Sequence, residues 1–451
     1  MNVIIVGCGK IGTTLLRSLV AEGHNVLGVD VDPNVIARVT DVYDAMGVCG
    51  NGADSDTLTE ASVEKADLLV AVTASDELNM LSCFLAKRMG AKHTVARIRN
   101  PEYNDKGLGF LRQQLGLSLS INPEFLTAQE IYNILRLPSA VKMETFSQHR
   151  FEMVELRLRE DSPLCGVTLT ELRKKYQADF LVGAVQRGED ALIPDGSFTL
   201  QAGDRIGLTA AHNEIQKLLR MLGVVQKRAR SVMILGGGRT SYYLAKLLLA
   251  GGNAVKIIEQ DAHRCEELAA LLPGAVILHG DGAQQELLLE EGIRETDAFV
   301  SLTGMDEENI LISIFAASQN VPKTIAKVNR PELAAMAEKL GQDCIVSPKT
   351  VTADMIVWYA RALQNSRGGV ETLYKLMDDK VEAVEFTVGE EFPAADVPLR
   401  ELHRKKNVLI AGILRGRKAM IPSGDDRLLV GDQVVVMAAG QRLGDLADIL
   451  A

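Results

Sequence analysis

Two short glycine-rich segments stand at equivalent places in the two halves of this chain, about 229 residues apart. Each follows an apolar run, at residues 3–6 and 232–235, and they read Gly7-Cys8-Gly9-Lys10-Ile11-Gly12 and Gly236-Gly237-Gly238-Arg239-Thr240-Ser241. Such a turn between a strand and a helix lets backbone N–H groups approach a pyrophosphate, where the helix dipole favours negative charge. One glycine pattern is a weak signal, but its repetition predicts a duplicated phosphate-binding fold.

An acidic residue follows each loop, at the end of the next predicted strand. Asp30 ends that strand in the first half, and Glu259 is its counterpart. A carboxylate there can accept hydrogen bonds from both ribose hydroxyls and would repel a 2′-phosphate. The pattern therefore favours NAD or another adenosine nucleotide over NADP. The alternative is a glycine turn that serves tight packing only.

The second loop departs from the pattern at one position. Ser241 stands where a third glycine belongs, while Gly236, Gly238 and Glu259 are kept. Because the third glycine serves helix packing more than phosphate contact, a second nucleotide site is still predicted.

Basic residues lie near both predicted sites. Lys10 and Arg239 occupy equivalent loop positions, and Arg97 and Lys327 end strands on the edge where ligands lie in such sheets. We expect them to contact phosphate. The alternatives are a solvated basic residue at a helix start and, for Arg97, a structural salt bridge.

Candidate catalytic groups are absent from the repeated pattern. None of the seven histidines is matched by a histidine in the other half: His24 corresponds to Asn253, and His279 to Cys49. The sequence also has no metal-ligand spacing or nucleophile motif of the common kinds. We therefore expect no catalytic residues and no metal site. An NAD-dependent oxidoreductase with a duplicated Rossmann fold remains the alternative.

The elements that must position these residues alternate in each half between short β-branched runs and helical patterns. That alternation predicts an α/β fold, with a parallel sheet covered on both faces. Predicted strands lie at residues 3–6, 25–29, 68–72 and 94–97, and again at 232–235, 254–258, 298–302 and 324–328. Short strands with Gly and Pro-x-Gly turns then close each half.

The predicted organisation is two Rossmann-like, doubly wound parallel-sheet domains, each followed by a small α+β module. The four parts are expected at residues 1–135, 142–225, 229–350 and 368–451.

Composition restricts the class of protein. The 451 residues carry a net charge of −10 and only 4% aromatic residues, which argues against a nucleic-acid-binding role. No uncharged apolar run approaches the length of a membrane span, and Met1 leads directly into a strand, so we expect neither transmembrane insertion nor a signal peptide. The six cysteines are scattered, which is typical of reduced thiols in a cytoplasmic protein.

Several motifs together resemble a known family along the whole chain. The first loop, Asp30, the Gly-Asn-Gly-Ala segment at 50–53 and the segment at 71–77 resemble the N-terminal part of an RCK (KTN) domain. The small modules resemble the family's C-terminal ligand-binding part, at Val182-Gly183 and Gly203-Asp204 and again at Gly412 and Gly431-Asp432. Two tandem RCK domains in one chain are similar to the cytosolic regulatory subunits of bacterial and archaeal Trk potassium uptake systems.

The resemblance implies a function and a set of contacts. It implies a homo-oligomeric ring, peripheral to the inner face of the cell membrane, beneath a membrane-embedded potassium pore subunit of the Trk type. Bound NAD⁺ or NADH, with ATP or ADP as alternatives, would change the ring's shape and gate potassium flux. The implied NAD contacts are Gly7, Cys8, Gly9, Lys10, Ile11, Asp30, Thr73, Ala74 and Arg97, and in the second half Gly236, Gly237, Gly238, Arg239, Thr240, Glu259, Thr303, Gly304 and Lys327. Regulation of another cation transporter or antiporter is a further alternative.

Two departures from the family pattern suggest unequal sites. Asn51 stands where the family often has an acid, which the second half retains as Asp281. Thr240 and Ser241 replace the usual Ile-Gly. We therefore expect the two sites to differ in ligand or affinity.

Overall fold

The computed structural model describes most of the chain. The described residues are 1–43, 45–104, 108–136, 142–146, 150–158, 160–175, 179–211, 214–215, 217–218, 229–342, 344–364, 370–377 and 379–451. They form two compact units, one of Met1–Gln129, Gly238–Leu244 and Val346–Ala360, the other of Glu130–Gly237, Ala245–Ile345 and Arg361–Ala451.

The first unit contains a six-stranded parallel sheet. Its strands are β1 (Asn2–Val6), β2 (Asn25–Asp30), β3 (Met46–Cys49), β4 (Leu68–Ala71), β5 (His93–Arg97) and β6 (Leu119–Ile121). Their order is β3-β2-β1-β4-β5-β6, all parallel, which is the Rossmann arrangement. The strand order reverses between β1 and β4, so the crevice at their carboxyl ends is the expected ligand position.

Helices connect these strands. They are α1 (Lys10–Ala21), α2 (Pro33–Tyr43), α3 (Ser55–Glu60), α4 (Asp76–Met89), α5 (Pro101–Asn104) and α6 (Leu108–Leu115), with α7 (Pro123–Arg136) after the last strand. In α1 the buried side chains Leu15, Leu16 and Leu19 recur at helical spacing, which fixes the face that packs on the sheet.

The second unit contains two small antiparallel sheets. The first is built from β7 (Lys142–Phe146), β8 (Phe151–Arg157), β9 (Phe180–Arg187), β10 (Asp190–Leu192) and β11 (Arg205–Ala211), in the order β10-β9-β11-β8-β7, with helix α8 (Leu169–Lys175). The second antiparallel sheet comes later in the chain and contains β18 (Val370–Leu376), β19 (Val381–Thr387), β20 (Val408–Arg415), β21 (Lys418–Met420) and β22 (Gln433–Ala439). Its order is β18-β19-β22-β20-β21, which is the order of the first antiparallel sheet read from the opposite edge.

A second six-stranded sheet lies in this unit. Its strands are β12 (Ser231–Leu235), β13 (Ala254–Glu259), β14 (Val276–His279), β15 (Ala298–Ser301), β16 (Lys323–Lys327) and β17 (Ile345–Val346), in the order β14-β13-β12-β15-β16-β17. The helices of the second half are α9 (Arg239–Ala250), α10 (Ala262–Leu271), α11 (Gln285–Glu290), α12 (Asp306–Ser318), α13 (Pro331–Lys339) and α14 (Pro348–Gln364). The strand order therefore repeats that of the first sheet.

The two antiparallel sheets share one apolar core. Phe146, Phe151 and Met153 of the first module pack with side chains of the second, among them Leu376, Val435 and Met437. Two glycines permit this close packing: a Cβ at Gly183 would lie 2.2 Å from Met437 Sδ, and one at Gly412 would lie 2.3 Å from Phe151 Cζ. The two small modules thus form a pair within one chain.

The predicted fold class is confirmed, and all eight predicted strands lie within one residue of their observed bounds. The edge strands β3, β6, β14 and β17 were missing from the prediction. Residues 137–141, 219–228 and 365–369, which lie at or near the expected boundaries between the parts, are outside the described residues, whereas 351–364 belong to α14. Among the residues that are described, no helix is both long and apolar enough to cross a membrane.

Candidate functional site

The first glycine loop lies where the sheet order reverses. Gly7 has φ +91°, and a Cβ there would lie 2.8 Å from the backbone nitrogen of Thr73, so the loops after β1 and β4 touch. Among the described residues, leaving out its chain neighbours, no atom lies within 4 Å of a Cβ placed on Gly9. Gly9 precedes α1 and makes no side-chain cap, so its own residue leaves the N–H groups at the start of the helix to another acceptor, as in an anion site.

The third glycine of this loop has a packing role. A Cβ at Gly12 would lie only 2.0 Å from the carbonyl oxygen of Gly7. Helix α1 therefore approaches the loop more closely than any side chain would allow.

Asp30 is held against the same loop. Its Oδ2 accepts a hydrogen bond from the backbone N–H of Cys8 at 2.7 Å, and its Oδ1 accepts from Asp32 N–H at 3.0 Å. Each oxygen keeps a lone pair for another donor. The carboxylate is thus positioned to accept from ribose hydroxyls.

Cys8 belongs to this loop, and its side chain is buried. Burial raises the pKa of its thiol to about 12, and the Asp30 carboxylate acts in the same direction. A thiol with such a pKa stays protonated at neutral pH, so Cys8 is not a nucleophile.

Arg97 is a buried cation at the end of β5. Its side chain is 8% exposed and donates to the Thr73 carbonyl, while its Nε has no hydrogen-bond partner. Burial lowers the pKa of the guanidinium, and the neighbouring Arg99 and Arg239 lower it further, against the opposing effect of Glu124 and Asp76. The group stays protonated, so Arg97 is a buried cation whose Nε has no hydrogen-bond partner among the described residues.

Asn79 joins the two strand ends at this crevice, a role that sequence analysis missed. Its Oδ1 accepts from Thr73 N–H at 2.8 Å, and its Nδ2 donates to the Arg97 carbonyl at 2.9 Å. The side chain is fully buried on α4. Its recurrence as Asn309 was the available signal, because a polar residue repeated on a buried helix face needs a partner.

The second half repeats this arrangement. Gly236 has φ +91°, and Glu259 Oε2 accepts from Gly237 N–H at 2.6 Å, while its Oε1 accepts from Asp261 N–H at 2.8 Å. Asn309 accepts from Thr303 N–H at 2.8 Å and donates to the Lys327 carbonyl at 2.9 Å. Loop, acid and strand ends therefore have the same hydrogen-bond pattern in both halves.

The other predicted residues divide by exposure. Lys10 and Arg239 are exposed at the first positions of α1 and α9, and Ile11 is half-buried beside Lys10. Ala74 and Gly304 are exposed in the loops after β4 and β15. Thr240 is buried, and Lys327 Nζ donates to the Leu302 carbonyl at 3.1 Å.

The two departures noted in the sequence have different consequences. Asn51 Oδ1 accepts from Ala53 N–H at 3.0 Å, and Asp281 Oδ1 accepts from Ala283 N–H at the same distance, so both residues stabilise the same turn. Ser241 is fully buried, and its hydroxyl has no hydrogen-bond partner. The difference between the halves at this position therefore lies in helix packing.

The Gly-Asp pairs of the small modules have a structural role. Asp204 is 1% exposed and accepts two hydrogen bonds from Arg187, each 2.8 Å, and a third from Gln201 N–H. Asp432 makes the same contacts with Arg415 and Leu429 N–H. These carboxylates close turns, and their charge is already compensated.

Metal ligands were not expected, and the described part of the chain contains no cluster of three or more His, Cys, Asp or Glu side chains able to hold a metal ion. The groups positioned at both crevices are backbone N–H donors, one acid and basic side chains. This set suits a ribose and phosphates.

Comparison with known families is consistent with this geometry. The TrkA-N domain matches residues 3–123 and 232–348, and the TrkA-C domain matches 153–223 and 383–451. The chain belongs to the TrkA family. A TrkA relative from Archaeoglobus fulgidus, a Trk system potassium uptake protein TrkA homolog, is 32% identical over 449 residues, covering 100% of each chain.

Solved structures share the fold of this TrkA-family chain. The crystal structure of the GsuK RCK domain has a TM-score of 0.64 at 17% identity, covering 97% of this chain and 92% of its own. The GsuK channel bound to NAD has a TM-score of 0.63 at 16% identity, covering 97% of this chain and 77% of its own.

Proposed function

We propose that this chain is a nucleotide-binding regulatory subunit that gates a membrane potassium transporter or channel of the Trk type. The observation that carries the proposal is Arg97, a buried guanidinium that donates to the Thr73 carbonyl and whose Nε has no hydrogen-bond partner among the described residues. A phosphate bound there would accept from that Nε.

NAD⁺ or NADH is the ligand we propose for the first site. The contacts are those expected from the sequence: residues 7–11, Asp30, Thr73-Ala74 and Arg97. The GsuK channel of similar fold binds NAD, which supports this choice. ATP or ADP is the alternative, because both carry the same adenosine ribose and neighbouring phosphates.

We propose a second nucleotide site at residues 236–240, Glu259, Thr303-Gly304 and Lys327. The repeated bonds of Glu259 to the loop and of Asn309 to the strand ends support it. We also propose that the chain functions as four parts, at residues 1–135, 142–225, 229–350 and 368–451.

We infer that the chain regulates rather than catalyses. His24 and His93 lie at the amino ends of β2 and β5, the edge of the sheet opposite the glycine loop. His279 does lie at the loop edge, where its Nε2 is 3.0 Å from the Gln260 carbonyl. The alternative is an NAD-dependent oxidoreductase. Hydride transfer with a panel of hydroxy-acid and aldehyde substrates separates the two, because robust turnover would contradict the regulator.

The proposed partner is a membrane-embedded Trk-type potassium pore subunit, with the chain at the inner face of the cell membrane and no membrane insertion of its own. The name of the Archaeoglobus relative supports this partner. A regulator of another cation transporter or antiporter is the alternative. Affinity capture from membranes, followed by identification of the bound pore protein, distinguishes them.

A homo-oligomeric ring is also proposed. Large apolar side chains are exposed on helices of both halves: Leu81 on α4 and Phe110 on α6, and Leu311 on α12 with Met336 on α13. Such residues suit contacts between copies of the chain. Light scattering should show that Leu311→Glu together with Leu81→Glu lowers the oligomer mass.

The nucleotide sites are tested by ligand-dependent unfolding. Ligand at about 100 times Kd should add roughly 2.7 kcal/mol of apparent stability for one site. We expect Asp30→Ala to remove the part of the NAD response that belongs to the first site, and Asp30→Ala with Glu259→Ala to remove it all. An unchanged response in the double variant would contradict both ribose assignments.

A further inference from the structure

Arg264 lies against the second glycine loop and has no counterpart in the first half. It stands in the first turn of α10, and its Nε donates to the Gly237 carbonyl at 2.8 Å. The equivalent residue of the first half is Val35 on α2. The two proposed sites therefore differ by a cation beside the loop.

The guanidinium and the acid of this half meet at one residue. The carbonyl oxygen of Gly237 accepts a hydrogen bond from Arg264 Nε, and the N–H of Gly237 donates to Glu259 Oε2 at 2.6 Å. An acid at this place binds the ribose 2′-hydroxyl, whereas an arginine nearby accommodates a 2′-phosphate. The second half presents both groups at the same corner.

Other charged groups surround this corner. Arg264 pairs with Glu267 at 2.7 Å, and that carboxylate is 45% exposed. Such a solvent-exposed pair contributes little to stability, so a phosphate can replace Glu267 as the partner. Asp261 caps α10 by accepting from Arg264 N–H, and His279 contacts the Gln260 carbonyl.

The corresponding corner of the first half lacks an arginine at the equivalent position. Asp30 accepts from the N–H groups of Cys8 and Asp32, and the apolar Val35 occupies the place of the arginine. A 2′-phosphate would meet the carboxylates of Asp30 and Asp32 there without a cation at position 35.

We propose that Arg264 determines how the second site treats the ribose 2′ position, so that this site accepts a 2′-phosphorylated adenine dinucleotide that the first site rejects. The inference rests on the proposed nucleotide function of the second half and adds a ligand class to it. The chain would then respond to two chemically distinct dinucleotide pools.

The test uses NADH and NADPH, which differ only in the 2′-phosphate, and the full chain carrying Arg97→Met, which removes the proposed phosphate contact common to both ligands at the first site. Isothermal titration should show NADPH binding to this variant within about tenfold of NADH. Adding Arg264→Val, the residue of the first half, should weaken NADPH about 10- to 100-fold, the size of a lost charge-assisted hydrogen bond. NADH affinity should change less than about threefold.

Further variants guard against a folding defect. Arg264→Gln keeps a polar side chain without the charge and should match Arg264→Val, and Val35→Arg added to Arg264→Val in the chain with Arg97 intact should restore NADPH binding, now at the first site. NADH binding without NADPH binding in the Arg97→Met chain would overturn the inference and leave the nucleotide function standing. Equal loss of both ligands on Arg264→Val would also overturn it. Binding of neither ligand to the Arg97→Met chain would overturn the proposed second site itself.

Discussion

At the scale of single residues, the proposed first site centres on one buried cation. Arg97 is 8% exposed, donates to the Thr73 carbonyl, and lies near Arg99 and Arg239. Burying a charge without full compensation costs stability, so such a residue needs another reason to be there. We propose that a bound phosphate is that reason.

We predict that Arg97→Met separates stability from binding. Methionine keeps an unbranched apolar stem but removes the uncompensated charge, so the free energy of unfolding without ligand should stay the same or rise by about 1–2 kcal/mol. The stabilisation by NADH at the first site should disappear. Urea unfolding with and without NADH measures both effects.

Arg38→Met on α2 is the control, because Arg38 is exposed and should change neither quantity. A large loss of stability in Arg97→Met with retained NADH binding would show that Arg97 is a structural residue.

At the scale of elements, the first loop contains two glycines with opposite surroundings. Gly12 faces the Gly7 carbonyl so closely that a Cβ would lie 2.0 Å from it, whereas nothing lies within 4 Å of a Cβ at Gly9. The backbone of Gly9 is extended, at φ −69° and ψ −159°, which alanine can adopt. Gly12 therefore serves packing between loop and helix, whereas Gly9 leaves space in which we propose that the ligand binds.

We predict that alanine at these two positions has different effects. Gly12→Ala should lower the free energy of unfolding by about 1–3 kcal/mol, because the helix must move away from the loop. Gly9→Ala should change stability by less than about 1 kcal/mol but weaken nucleotide binding at the first site at least tenfold. Thermal unfolding and titration calorimetry give the two readouts. Equal effects of the two substitutions would contradict these assignments.

Some of these elements could be predicted from the sequence, and others could not. The repeated loops, the acids Asp30 and Glu259 and the eight central strands were predictable, because each depends on local pattern and on the offset between halves. The edge strand β17 spans only two residues, Ile345–Val346, too few for a period to be recognised. The role of Asn79 depends on the ends of two strands meeting in space, and local sequence does not encode that contact.

At the scale of the whole molecule, the two halves contain equivalent small modules and equivalent crevices that differ at a few residues. The two small modules share one core within the second unit, and the two crevices share one hydrogen-bond pattern. The copies differ at Ser241 and at Arg264, whose counterparts are Gly12 and Val35. One chain thus contains two related but unequal candidate sensors.

We predict that the pairing of the small modules depends on Gly412. A Cβ there would lie 2.3 Å from Phe151 Cζ in the shared core, so Gly412→Ala should cost about 1–3 kcal/mol of unfolding free energy. Gly389→Ala is the matched control in the same module, where the nearest atom to a Cβ is 4.0 Å away. Denaturant unfolding of both variants is the measurement, and equal stability would contradict the packing role.

We propose that nucleotide binding to this chain controls a potassium pore. A ligand can shift a conformational equilibrium only by its difference in affinity for the two states. Variants that cannot bind the ribose should therefore lose the nucleotide dependence of potassium flux but still bind the pore subunit.

The most direct measurement is potassium flux through the cognate Trk-type pore subunit in proteoliposomes, with this chain added and NADH varied. We predict that flux changes with NADH when the native chain is present and becomes insensitive to NADH with Asp30→Ala and Glu259→Ala together, although the variant still binds the pore. Potassium flux that changes with neither the chain nor NADH, or an unchanged NADH response in the double variant, would contradict control of the pore by nucleotide binding to this chain.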